Sequence, residues 1–282
     1  MAMKNRLTSE ESDEMIELLK MLIRTPSAEN DGDQIYNIVY DHLKSKGLDP
    51  EFQKVKSPYV AYGGHTNLYL KMGNGKGPKI MLNGHLDTVI ASSEWFHEPY
   101  KAYEEGDKVF GLGAADMKGG CAAMIGAILA LGSRMEELNG ELLISFVFGE
   151  EAPFSLGTDT LLREFSMKDY DLIIIPEPSP ILAINDYCTT HKRIHKASFP
   201  TPIIGAEGRI LFEIELFGKS THASHPSQGI NSLEDAAKLI HKLTEFDLFS
   251  SAKMGRGHYC VLNIEGGHQA FTVPSYCKIF VN

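Results

Sequence analysis

An open α/β layer with a mostly parallel sheet and helices on both faces, followed by a small α+β domain, is predicted by three observations. Two continuous apolar runs, ELLISFVF (141–148) and DLIII (171–175), suit strands buried on both faces of such a sheet. Helical patterns alternate with these strands. After about Asn185 the character changes, and a strand–helix–strand order follows that suits a small α+β domain.

In chain order, Thr8-x-x-Glu11 reads as a capping box, and Met15, Ile16, Leu18, Leu19, Leu22 and Ile23 follow at helical spacing. A second helix is predicted from about Asp33 to Lys46, stopped by Gly47. TNLYLKM and KIMLNGH then read as a strand pair joined by the turn 73–77. The strand-like KVFG runs into a glycine-rich turn carrying Asp116, and a helix of small residues extends from Lys118 to Leu131. Residues 186–203 read as a linker or insertion. Beyond it, ILFEIELFG alternates as a half-buried strand, INSLEDAAKLIHKLTEF is an amphipathic helix, and YCVLNIEGG is a further strand. The domain reading is a metal-binding domain over 1–203 and a lid or dimerisation domain over 204–282.

Three apolar strands end in residues able to bind metal: His85 and Asp87, then Glu150 and Glu151, then Glu177. In open α/β sheets, sites form beyond the carboxyl ends of the strands, so these endings are expected to converge, together with Asp116. Residues two apart on a strand share a face, which pairs His85 with Asp87 as a metal ligand and its supporting carboxylate. Carboxylates with histidine suit Zn2+, with Co2+ or Mn2+ also able to satisfy the set. Two ions about 3.5–4 Å apart share a bridging carboxylate, and Asp116 on its tight turn is the best bridge. In the tandem pair, one glutamate can bind metal while the other acts as general base. His191 and His195 stand four apart, but their flanks are not convincingly helical and read as surface.

Composition narrows the function. A net charge of −10 with no basic run argues against nucleic acid or an anionic membrane as partner. The first residues lack a signal-peptide pattern, and no apolar run is read as membrane-spanning, which gives the expectation of a cytoplasmic protein. Cys121, Cys188, Cys260 and Cys277 are scattered and read as reduced core thiols.

GHLDTV, GLGAADMKGG, FGEEAPFSLGT, PEPS and GKSTHASHPSQGINS together resemble the co-catalytic zinc hydrolases that include acetylornithine deacetylase, succinyl-diaminopimelate desuccinylase, aminoacylase and carboxypeptidase G. The resemblance runs from about Glu14 to the last residue, with Gly218, His222, Pro226, Gly229 and Asn231 in register with the lid signature. It implies that His85 and Glu177 hold one zinc, Asp116 bridges, and Glu151 holds the second. It implies further that Asp87 supports His85, Glu150 is general base and proton donor, and His222 stabilises an oxyanion. The implied reaction is hydrolysis of an N-acyl amino acid or small peptide by a zinc-activated water, in an enzyme that dimerises through its lid. An aminopeptidase of the related zinc fold shares the ligand order, but such enzymes generally lack the lid motif.

The sequence departs from that family at its end. Relatives run roughly a hundred residues further and supply a final histidine for the second zinc. No histidine after His222 has a matching context, His258 and His268 both lying in the lid. The expectation is therefore a chain truncated in both domains, with a non-catalytic remnant that binds one metal or dimerises as the alternative reading. Phe271 also stands where relatives often carry Asn.

Overall fold

The computed structural model describes residues 7–28, 31, 33–55, 65–131, 138–151, 155–178, 210–243, 245, 250–251, 255–256, 259–267 and 271–282. The linker over 186–203, Cys188, His191, His195, His258 and His268 lie outside them. The chain divides into two compact units, Met1–Ala197 and Ser198–Asn282.

In the first unit, α1 spans Ser9–Arg24, α2 Gln34–Ser45 and α3 Gly119–Leu131. The capping box forms as expected: Thr8 N–H donates to Glu11 Oε2 at 2.6 Å and Glu11 N–H to Thr8 Oγ1 at 3.1 Å. Strands β1 (Glu51–Lys54), β2 (Thr66–Met72), β3 (Lys79–His85), β6 (Glu141–Val147) and β7 (Leu172–Ile174) make one sheet in the order β1-β2-β6-β3-β7. β6 and β7 run parallel to β3 and β2 runs antiparallel to β1 and β6, so four of the five strands point one way. A short hairpin, β4 (Tyr103–Glu105) with β5 (Lys108–Phe110), stands apart from it.

β2 and β3 are not neighbours, which corrects the predicted strand pair. β6 lies between them because the turn over 73–77 bonds to the segment entering β6: Gly75 N–H donates to the Gly140 carbonyl at 2.9 Å, and Gly140 N–H to Asn74 Oδ1 at 3.1 Å. One sheet face carries the main core, where Leu18 and Leu22 of α1, Tyr36 and Val39 of α2, and Ile125 and Ile128 of α3 meet Leu68, Ile144 and Phe146. The other face has a smaller cluster of Tyr69, Met81 and Leu143, covered by Phe165, Tyr170 and Ile173 near α4 (Leu156–Glu164).

One further expectation changes. β7 is an edge strand among the described residues, and Leu172, Ile174 and Ile175 are exposed rather than buried on both faces. Ala114–Leu131 meets a length-and-composition criterion for a membrane span, but its first five residues are the kinked turn at Asp116 and α3 itself has 13 residues. Its apolarity serves packing, since Cys121, Met124, Ile125 and Ile128 are all buried in the main core.

In the second unit, β8 (Phe212–Phe217), β11 (Val261–Gly266) and β12 (Tyr276–Val281) form an antiparallel sheet in the order β11-β12-β8. Two-residue strands β9 (Ser250–Ser251) and β10 (Gly255–Arg256) pair separately. Helix α5 (Ser232–Leu243) packs Ala236 against Cys277, Ile279 and Val281, every second residue of β12, as the strand period requires. Phe271 has φ +67° and a side chain 75% exposed. Left-handed backbone is costly for a bulky residue and tolerated by Asn. Phe271→Asn is therefore expected to raise stability by about 1 kcal/mol, read as a higher urea midpoint.

Candidate metal centre

β3 delivers His85 to the carboxyl end of the sheet, where its ring is buried at 1% exposure. Nδ1 lies 2.9 Å from the Asp87 backbone carbonyl. A carbonyl only accepts, so Nδ1 carries a proton and Nε2 is the atom turned to the site. The carboxylate Asp87 Oδ1 stands 3.7 Å from Nδ1, beyond hydrogen-bonding distance. Asp87 therefore meets His85 Nδ1 with its main-chain carbonyl at hydrogen-bonding distance and with its carboxylate at ion-pair distance. Its other oxygen, Oδ2, accepts from Glu151 N–H at 3.0 Å and ties β3 to the tandem glutamates.

Nε2 faces three carboxylates: Asp116 Oδ1 at 3.2 Å, Glu177 Oε1 at 3.5 Å and Glu150 Oε2 at 3.9 Å. Asp116 comes from the tight turn Ala114–Lys118 that precedes α3. Glu177 follows β7, and Gly120 lets it approach, because a Cβ there would overlap the Pro176 carbonyl oxygen. His85, Asp116 and Glu177 form a group whose ligand atoms all lie within 4.8 Å of one another. Glu151 stands outside that group, held beside it by its backbone bond to Asp87.

The electrostatics suit a bound cation. Burial and then Glu177 raise Asp116 above the usual carboxylate range, with His85 opposing them. Burial raises Glu150, with further pressure from Glu177, Asp87 and Asp116. Burial and then Asp116 push Glu151 up to about 6. His85 would be depressed by burial, but its hydrogen bond to Glu177 and the charges of Asp87, Glu177 and Glu150 raise it to about 9. Asp87 Oδ1 is buried without a hydrogen-bond partner. A divalent cation relieves the repulsion that these groups otherwise relieve by binding protons, so the donor set fits a metal.

A pH prediction follows from these shifts. His85 in the metal-free chain titrates at about 9 against 6.5 ordinarily. Its contribution to stability is therefore full below 6.5 and is lost as pH rises through 9. Metal must displace that proton, so affinity is expected to rise about tenfold per pH unit toward pH 9 and then level. Chelator competition across this range, with about one proton released per ion near neutrality by calorimetry, checks both signs.

In the second unit His222 sits in a turn pinned by backbone bonds, Ala223 N–H to Phe271 and Val273 N–H to Thr221, each 2.8 Å. Ser224 N–H donates to His222 Nδ1 at 3.2 Å, so Nδ1 is unprotonated and Nε2–H is the donor. Ser224 Oγ lies 2.7 Å from the same Nδ1 and 2.8 Å from His225 Nδ1. The buried polar residues of the first unit that the sequence does not single out include Asn67, which bonds the exit of β6, and Lys118, two residues past Asp116. Their one signal is a polar side chain inside an otherwise small or apolar run.

The family model described as peptidase family M20/M25/M40 matches residues 81–258, which include all the strand-end candidates His85, Asp87, Glu150, Glu151 and Glu177. The chain belongs to this family. A peptidase M20 domain-containing protein of Schizosaccharomyces pombe is 30% identical over 267 residues, covering 94% of this chain and 59% of that protein. Succinyl-diaminopimelate desuccinylase of Orientia tsutsugamushi is 27% identical over 238 residues, covering 83% of this chain and 56% of that enzyme. The chain therefore spans under two thirds of both relatives. Among solved structures, an M20 family metallo-carboxypeptidase from Sulfolobus solfataricus matches with TM-score 0.68 and 19% identity, over 97% of this chain and 70% of that one. That likeness shows a shared M20 fold.

Proposed function

We propose that this chain carries the metal centre of a hydrolase that cleaves the amide bond of N-acyl amino acids or small peptides. The observation that supports it most is the convergence of His85, Asp116 and Glu177 from three separate segments, with Glu150 and Glu151 beside them. His85 and Glu177 would hold one divalent ion, Asp116 would bridge, and Glu151 would hold a second, zinc being the ion this donor set favours. Bound metal supplies Lewis-acid polarisation of the amide carbonyl and acidifies water. Glu150, outside the three-residue ligand group, takes a proton from the attacking water and returns it to the leaving amine. The Nε2–H of His222 is the donor suited to a developing oxyanion. Residues 204–282 act in this reading as a lid that also dimerises; light scattering of the purified chain tests it.

Metal content of the dialysed chain tests the centre itself. Close to two ions per chain are expected, falling in both His85→Ala and Glu151→Ala. A second reading, a one-metal remnant, is favoured by the position of Glu151 outside the ligand group. One ion per chain, lost with His85→Ala and kept with Glu151→Ala, would select it.

A further inference from the structure

Lys118 is fully buried, at 0% exposure, two residues from Asp116. Its ammonium donates to the Leu22 carbonyl at 2.9 Å and the Thr25 carbonyl at 3.1 Å, the last turn and cap of α1. Helix C-termini carry partial negative charge and unsatisfied carbonyls, so this is where a buried cation is best accommodated. The same stretch of chain grips the other side of the centre. Ser27 Oγ–H donates to the Leu86 carbonyl at 2.8 Å, and Thr88 N–H to the Ser27 carbonyl at 3.1 Å. Leu86 and Thr88 flank Asp87, directly after His85. Residues 22–27 are therefore one anchor for two ligand-bearing segments that are distant in sequence.

We propose that Lys118 is a positioning residue of the metal centre, fixing the Asp116 turn to the α1 terminus that also holds the His85–Asp87 strand end. This rests on the metal-centre reading above. Burying an ammonium is costly, and an apolar side chain would fill the same space more cheaply. What lysine adds is direction: two charge-assisted bonds that fix where the turn lies. Metal coordination tolerates only a few tenths of an ångström, and Asp116 Oδ1 stands 3.2 Å from His85 Nε2 across this anchor.

The test uses Co2+ as probe, because its visible spectrum reports ligand geometry independently of turnover. Lys118→Met keeps the volume of the stem and removes the donors. We expect its Co2+ dissociation constant to rise about 10–100-fold, with an altered spectrum. Leu43→Ala, a core truncation in α2, should lower the melting temperature and leave constant and spectrum within about threefold of wild type. Wild-type affinity and spectrum in Lys118→Met would overturn the proposal even if that variant melts early. Should Lys118→Met not fold, Ser27→Ala removes only the second strut and is expected to weaken Co2+ at least about threefold; unchanged binding there overturns the shared anchor. A wild-type chain that takes up no Co2+ sinks the metal-centre reading itself, and this inference with it.

Discussion

Glu150→Gln is expected to lower turnover by about 10²–10⁴-fold while metal content stays at the wild-type value. Glutamine has the same shape and cannot take a proton, so it separates a base from a ligand. The geometry gives reason to expect a base. Glu150 Oε2 stands 3.9 Å from His85 Nε2, farther than the Asp116 and Glu177 oxygens, and the side chain is 45% exposed. Burial and the neighbouring carboxylates raise its proton affinity, which a base working near neutrality needs. The acidic limb of the activity profile should accordingly lie above the ordinary carboxylate range. Loss of metal in step with activity would instead make Glu150 a ligand, and Glu151 would become the candidate base.

The convergence of His85, Asp116 and Glu177 was legible because it depends on local signals. His85 and Glu177 follow apolar runs, and the end of a strand in an α/β sheet is where a site forms. The order of the strands was not legible. The glycine-rich turn over 73–77 looks like a hairpin, and only its bonds to residues 138–140 reveal that β6 inserts between its strands. Pairing of that kind is decided by distant packing, which a local pattern does not encode. DLIII likewise reads as a central strand because apolarity alone does not distinguish a centre from an edge. The proximity of Asp87 to His85 was legible in the two-residue spacing, but not that the backbone carbonyl would make the hydrogen bond while the carboxylate stands at ion-pair distance. Asn67 and Lys118 escaped for a simpler reason. Neither residue type marks a site, and only burial shows that their hydrogen-bonding groups are directed to the main chain of other segments.

Gly157→Ala should destabilise the protein by about 3 kcal/mol and weaken metal binding at Glu151. Helix propensity alone predicts the opposite, since alanine is favoured over glycine by about 1 kcal/mol inside a helix. The surroundings decide. Gly157 N–H donates to the Phe148 carbonyl at 2.9 Å, and its own carbonyl accepts from Asn67 Nδ2 at 2.8 Å. Asn67 Oδ1 in turn accepts from Phe148 N–H at 3.0 Å, closing a ring between β2, the exit of β6 and α4. A Cβ on Gly157 would overlap the Phe148 carbonyl oxygen and stand 2.5 Å from Phe148 N and 2.6 Å from Asn67 Oδ1. None of these atoms is the loose end of a flexible side chain, so relief requires opening the ring. Phe148 is two residues before Glu150, and the displacement passes directly to the tandem glutamates. Urea denaturation with metal titration separates the outcomes. A lower midpoint with loss of one ion confirms the clamp, whereas a midpoint raised by the gain in helix propensity means that α4 and β6 are not held together in this way.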